Sequence, residues 1–304
     1  MIKLSHKIAA HNIRKNFGKG DKFRDKGQTT PCDIIRFDNI LYGDCRRYKK
    51  WQLLDVYRPK NAESAKLPVI VSVHGGAWVY GDKDVYQFYC MKLAQRGFAV
   101  VNFSYRLAPE VKFPASLQDT DKVFRWIYEN SEKYGFDTEK VFAVGDSAGA
   151  HLLGLYSSIL TNADYALKYD FWNADLKRPK LCGIALNCGK YDMATGLDND
   201  PQSRLLLQAL MPGGGTPEEL ELINAAGHIT KDFPPTFIMT CYGDFLYTQA
   251  PVISTALQQA GVQHEYHCYG TNEQPLWHVF HCDPKLPQAI VCNDDECNFF
   301  KKLM

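Results

Sequence analysis

No stretch of this chain approaches the roughly 18 consecutive apolar residues that a membrane-spanning helix needs. The N-terminus also lacks the short apolar core of a secretory signal, so the expected compartment is the cytoplasm. Neither sign of charge is in excess: 35 Lys and Arg face 34 Asp and Glu, for a formal net charge of +1. That balance excludes the general attraction to nucleic acid that a strongly basic protein has. Ten cysteines are present, but none forms a Cys-x-x-Cys pair and no Cys/His group has zinc-finger spacing. No metal and no organic cofactor is implied. Internal repeats, low-complexity tracts and clear linkers are missing too, so residues 1–304 read as one domain.

What is present is ordinary for a globular protein, with 45% hydrophobic and 23% charged residues. The first residues (MIKLSHKIAAHNIRKNFGKGDKFRDKG) are locally basic, but Asp21 and Asp25 interrupt the run. A solvated helix covering the domain is the expectation there, in preference to a membrane or polyanion contact. Beyond it, strand and helix patterns alternate. Buried strands are expected at Leu67–Val73, Phe98–Ser104, Lys140–Val144, Leu181–Leu186 and Thr236–Cys241. A last strand is expected at Gln263–Tyr269, and two early ones, read as antiparallel, at Ile34–Tyr42 and Gln52–Tyr57. Helices are expected at Val85–Arg96, Leu117–Glu132, His151–Leu160, Thr248–Ala260 and Pro287–Leu303. The pattern implies an α/β fold, with a mostly parallel sheet covered by helices on both faces. The segment 191–233 breaks the alternation. With residues 1–30 it is expected to form a helical cap. Cys182 and Cys241 read as small core residues; a disulfide among Cys282, Cys292 and Cys297 is disfavoured in a reducing compartment.

Such sheets bind ligands beyond the carboxyl ends of their strands, and three candidate groups fall there. The first is Gly145-Asp146-Ser147-Ala148-Gly149, a G-x-S-x-G corner between a strand and a helix. That context makes Ser147 a candidate nucleophile rather than an ordinary turn residue. The following helix aims its N-terminus at the hydroxyl. The second is His74-Gly75-Gly76-Ala77, a loop whose backbone N–H groups suit a developing oxyanion. Gly76 and Ala77 are the likeliest donors, Gly75 shapes the turn, and Ala148 adds a third N–H. His74 itself reads as structural. The third group is the Gly243-Asp244 pair.

Taken together, His74-Gly75-Gly76-Ala77-Trp78, Tyr105-Arg106-Leu107-Ala108-Pro109-Glu110 with Phe113-Pro114-Ala115, and Gly145–Gly149 resemble the hormone-sensitive-lipase-like carboxylesterases of the α/β-hydrolase superfamily. The similarity runs from about Leu67 to the C-terminus. Ala77 and Ala150 stand where that group often has Gly, and Trp277 precedes the candidate base where Gly is common.

The resemblance implies the chain order Ser, acid, His. His278, in His278-Val279-Phe280, fits the family's base better than His281. His264 and His267 fall within the last strand. Asp244 in Asp244-Phe245-Leu246 fits the acid loop, with Asp232, Glu265 and Asp283 as weaker rivals. Asp146 is expected to brace loops through Tyr105 or Arg106.

The implied chemistry is hydrolysis of short- to medium-chain carboxylic esters through an acyl-enzyme at Ser147. Trp78, Phe245 and Trp277 are candidate substrate contacts. The same machinery also suits an arylformamidase acting on N-formyl amides. A non-enzymatic binding protein is disfavoured, because such folds typically lack a triad member. The expected partner is a small-molecule ester; pairing of two copies is left open.

Overall fold

In the run LPVIVSV, side chains alternate across the sheet, because successive strand residues point to opposite faces. Val69, Val71 and Val73 enter one apolar cluster, and Ile70 enters the other. Val141 and Ala143 likewise join the first cluster, while Phe142 and Val144 join the second. A strand buried on both sides needs a helical layer on each face, and the chain supplies two.

The computed structural model describes residues 2–62, 65–194 and 200–304. Eight strands form one sheet: β1 (Ile34–Leu41), β2 (Leu53–Pro59), β3 (Leu67–Val73), β4 (Ala99–Phe103), β5 (Phe136–Asp146), β6 (Leu181–Asn187), β7 (Thr236–Cys241) and β8 (His264–Tyr269). Their order is β1-β2-β4-β3-β5-β6-β7-β8. β2 pairs antiparallel with β1 and β4, and all other pairings are parallel.

The helices are α1 (Leu4–Asp25), α2 (Lys83–Ala94), α3 (Ala115–Glu129), α4 (Ser131–Tyr134), α5 (Ala148–Thr161), α6 (Ala163–Ala166), α7 (Pro201–Leu210), α8 (Pro217–Leu222), α9 (Gln249–Gln259) and α10 (Pro287–Lys302). Residues of α3, α5 and α9 fill the first cluster; residues of α2 and α10 fill the second.

The expected strands and helices are all present, with ends shifted by a few residues. The largest shift is at β5, which begins at Phe136 rather than Lys140. Its first residues, Phe136 and Asp137, pair with Leu67 and Pro68 before an irregularity in register. The polar run Asp137–Lys140 masks this in the sequence.

The basic N-terminal segment is α1. It buries only His6, Ala9, Ala10 and Ile13 and packs beside α7. Residues 195–199, inside the segment expected to complete the cap, lie outside the described residues. Cys241 is buried as expected, whereas Cys182 is only partly covered, and all ten cysteines are free thiols. No helix among the described residues is long and apolar enough to cross a membrane.

Candidate active site

β3 and β5 are neighbours in the sheet, and Val73 at the end of one lies opposite Gly145 at the end of the other. The loops that leave these two strand ends therefore start side by side. Ser147 follows β5 on a sharp corner, with φ +51° and ψ −116°, a region that L-residues seldom occupy. Its amide donates to the Asn187 carbonyl at 2.9 Å, anchoring the corner to β6. Gly149 is required where α5 starts, because a Cβ there would run into the Val73 and His74 carbonyls. This close approach brings the first turn of α5 against the loop after β3.

That loop turns through three successive left-handed residues, Gly76 (φ +113°), Ala77 (φ +51°) and Trp78 (φ +60°). A side chain at Gly76 would collide with the Tyr80 carbonyl. Gly76, Ala77, Ala148 and Ser147 all border cavities at this end of the sheet. Gly75 plays a different part: its N–H already donates to the Tyr86 hydroxyl at 2.9 Å, so it is not a free oxyanion donor.

Tyr86 in turn donates to Asp146 Oδ2 at 2.7 Å. Burial pushes the Asp146 carboxyl up to about 6, against the opposing pull of the Tyr86 hydrogen bond and the charges of His278 and Arg24. Asp146 therefore braces the loop after β3 through Tyr86, not through Tyr105 or Arg106. Tyr105 donates instead to the His74 carbonyl at 2.8 Å, and Arg106 holds Asp119 at 2.8 Å. His74 is structural. It stacks on Tyr105 with ring centres 4.0 Å apart, its Nδ1 lies 2.7 Å from the Gly75 carbonyl, and burial pushes it down to about 4.

A further tie joins the loop to α5. The Trp78 indole donates to His151 Nδ1 at 3.2 Å, and His151 Nε2 donates to the Ile223 carbonyl at 2.8 Å. Burial holds His151 neutral, pushing it down to about 4, which suits a ring that accepts on one nitrogen and donates from the other.

Asp244 follows β7 and is buried. Its Oδ1 receives His278 Nδ1–H at 2.7 Å and the Leu246 N–H at 2.8 Å. Burial alone would raise its pKa. The hydrogen bond and charge of His278, with Leu246 and the Cys188 thiol, outweigh burial and hold the carboxyl below its ordinary value. Val279, in the left-handed region at φ +56°, turns the chain just after the imidazole. The Phe245 ring lies 4.3 Å from that of His278.

His281 is fully buried, pushed down to about 3 by burial, and its Nδ1 has no partner. Glu265 pairs with His267 and Lys302 on the sheet edge, and Asp232 is exposed. Asp283 borders a cavity without contacting the imidazole.

Two cavities meet at Ser147. One, of 460 Å³, is bordered by Ala77, Trp78, Ala148, Met193 and Leu206. The other, of 560 Å³, is bordered by Gly76, Tyr80, Phe17, Trp277 and His278. Phe245 lines both. Trp78, Phe245 and Trp277, the three expected substrate contacts, thus all face the space around the hydroxyl.

Two trios of possible metal donors occur among the described residues, Asp146/His281/Cys282 and Cys188/Asp244/His278. In the second, Asp244 and His278 already satisfy each other. In the first, Asp146 is held by Tyr86, and burial raises the Cys282 thiol well above its ordinary value, which disfavours the thiolate a cation would need.

The residues that sequence reasoning missed are Tyr86 and Cys188. Tyr86 lies 60 positions from Asp146, and Cys188, at φ +48°, reads in sequence as one more small residue after a strand.

Comparison with known proteins points the same way. The BD-FAE family model matches residues 54–257. The chain is 28% identical over 251 residues to versiconal hemiacetal acetate esterase of Dothistroma septosporum, covering 78% of this chain and 73% of that one. It is 29% identical over 216 residues to esterase LipQ of Mycobacterium tuberculosis, covering 69% of this chain and half the length of that relative. Among solved structures, esterase B of Lactobacillus rhamnosus superposes with a TM-score of 0.87 at 25% identity, over 99% of this chain and 96% of that one.

Proposed function

Because this chain belongs to the BD-FAE family and is a serine carboxylesterase of the hormone-sensitive-lipase-like α/β-hydrolases, we propose that Ser147, His278 and Asp244 are its catalytic triad. The single observation that carries the assignment is the 2.7 Å bond between His278 and Asp244, on an imidazole that shares a cavity with Ser147.

In this reading His278 Nε2 takes the Ser147 proton as the hydroxyl attacks the ester carbonyl. The Gly76, Ala77 and Ala148 N–H groups, at the N-terminal end of α5 and in the left-handed loop, hold the oxyanion. Asp244 fixes the tautomer with the proton on Nδ1 and stabilises the imidazolium. The imidazolium then protonates the leaving alcohol, and water repeats the sequence on the acyl-enzyme. Because His278 borders the 560 Å³ cavity and not the 460 Å³ one, the alcohol departs there. The acyl group then occupies the 460 Å³ cavity between Trp78, Met193 and Leu206.

Short to medium acyl chains are supported by the acetate ester named for the Dothistroma relative. A structure of esterase B inhibited by a C4–C4 SN3 tributyrin phosphonate supports them as well. An N-formyl amide substrate has no comparable support. We further assign α1, α7 and the described part of 191–233 to a cap over the two cavities, and the cytoplasm as the compartment; ten free thiols suit a reducing one.

The test is turnover of p-nitrophenyl esters of rising chain length, with N-formylkynurenine alongside, by the protein and its Ser147→Ala variant. Turnover of the shorter esters that vanishes in the variant supports the assignment. Faster turnover of the formyl amide than of any ester, or unchanged turnover in the variant, overturns it.

A further inference from the structure

One side of α1 faces solvent over most of its length, with Ile8 and His11 also bordering a groove against Pro109 and Glu110. Leu4, Ile8, His11, Lys15, Lys19 and Lys22 follow one another at steps of three or four residues, and Lys26 continues the series just past the helix. Such spacing puts them in one stripe along the helix. Every member is exposed, while His6, Ala9, Ala10 and Ile13 are buried on the other side.

The acids of the helix do not neutralise this stripe. Asp21 and Asp25 turn to Arg24, and Arg14 turns to Glu110. None of the stripe's lysines forms an ion pair among the described residues. The whole chain carries a formal charge of only +1, so the rest of the molecule is net negative. Residues 2–26 carry eight Lys and Arg against two Asp, so the positive excess is concentrated on this helix, while Arg46, Arg47, Lys49 and Lys50 form a second exposed basic run.

The same helix borders the catalytic space. Phe23 is 80% exposed and lines the 560 Å³ cavity, whose rim also holds Phe245 (74% exposed) and Trp277 (52% exposed). Ser147 and His278 lie on that cavity's inner wall. Three large exposed aromatic rings along one cavity, under a helix whose outer face carries a stripe of unpaired lysines, match what a lipid–water interface stabilises. Lysines meet the phosphate layer, aromatic rings settle at headgroup depth, and an apolar flank dips below.

We propose that α1 and the aromatic rim seat the protein on an anionic phospholipid surface, so that the ester enters the 560 Å³ cavity from the lipid side. The apolar residues Leu4 and Ile8 anchor one end of the helix and Phe23 the other. The lysines supply the attraction to acidic headgroups. This rests on the esterase reading only for what passes through the cavity; docking itself is independent of turnover.

The experiment is flotation of the full-length protein with two kinds of vesicle. One is phosphatidylcholine alone, and the other contains about one third phosphatidylserine. Near an anionic surface each lysine contributes about 1 kcal/mol, or roughly fivefold in partitioning. The triple variant Lys15→Gln, Lys19→Gln, Lys22→Gln should thus lose about a hundredfold in binding to phosphatidylserine vesicles. The control triple Lys133→Gln, Lys168→Gln, Lys177→Gln removes the same charge elsewhere and should retain binding. Binding should also collapse between about 0.1 M and about 1 M salt, where the screening length falls to a few ångströms.

With the α1 triple variant, hydrolysis of a water-soluble p-nitrophenyl ester should stay unchanged, while hydrolysis of an ester dissolved in the vesicles falls with binding. No binding to either vesicle, equal binding to both, or equal loss in the two triple variants overturns the proposal. Retention on RNA or heparin without vesicle binding also overturns it, in favour of a polyanion partner. Vesicle binding by a protein inert on every ester would leave docking standing and sink the esterase assignment instead.

Discussion

Removing one oxygen atom, in Tyr86→Phe, tests how the proposed oxyanion loop is held. The Tyr86 hydroxyl accepts the Gly75 N–H at 2.9 Å and donates to Asp146 at 2.7 Å, and the two partners are buried or nearly so. Loss of a hydrogen bond to a charged group costs about 1.5–3 kcal/mol, and an orphaned buried N–H about 1–3 kcal/mol. With partial relaxation we expect a total near 3 kcal/mol. The melting temperature should then drop by about 5 °C, since an unfolding entropy of about 2.1 cal/mol/K per residue gives roughly 1.6 °C per kcal/mol for 304 residues.

The loss should also depend on pH. Asp146 is pushed up to about 6, so the hydroxyl faces a carboxylate at pH 8 and mostly a neutral acid at pH 5. The Tyr86 bond favours the charged form, and the penalty should therefore be larger at pH 8. In ester turnover, a slackened Gly76–Ala77 loop should lower kcat about tenfold or more with little change in KM. Urea unfolding of the wild type, Tyr86→Phe, Asp146→Asn and the double variant gives the coupling directly. Effects that add within about 0.5 kcal/mol would mean that the two side chains do not act as a pair, and the account of the loop given above would fall.

Two further outcomes follow from the same structure. Asp244→Asn keeps the shape but cannot hold His278 with its proton on Nδ1, so kcat on p-nitrophenyl acetate should drop by about 10⁴ with KM nearly constant; a loss below tenfold would remove Asp244 from the triad. In the acid range, His74, His151 and His281 stay neutral in the fold, at about 4, 4 and 3, while the unfolded chain protonates them near 6.5. Asp146 (about 6) and Glu296 (about 7) act oppositely, holding protons that the unfolded chain releases. The three histidines outnumber the two carboxyls, so stability should fall on going from pH 6 to pH 5, by on the order of 1 kcal/mol. Urea midpoints that rise over that interval would contradict the burial of the three rings.

The strands were legible because their residues leave little choice. Leu67–Val73 and Thr236–Cys241 are apolar runs too short for buried helices, and their ends in the fold coincide with those read from sequence. The Ser147 corner was legible because its glycines lie adjacent in the chain. Helix α1 was harder to read, since it buries only four residues in 22 and presents no apolar face to a periodicity search. The supports of the site were hidden for a different reason. Tyr86 meets Asp146, Trp78 meets His151 and Cys188 meets Asp244 only after the sheet has formed. Each is an unremarkable residue in its own segment, and nothing local marks a hydrogen bond spanning tens of positions.

The in-register pairing of Val73 with Gly145 has a consequence for how such a protein changes over generations. The positions from which the proposed nucleophile and oxyanion donors depart are spaced by a ladder of main-chain hydrogen bonds, which side-chain replacement barely touches. The walls of the two cavities, by contrast, come in part from helices α1 and α7 and from single rings such as Phe245. Mutational drift in those walls can exchange one ester for another while bond cleavage persists. The reactive centre and the choice of substrate are thus separately heritable traits of one chain.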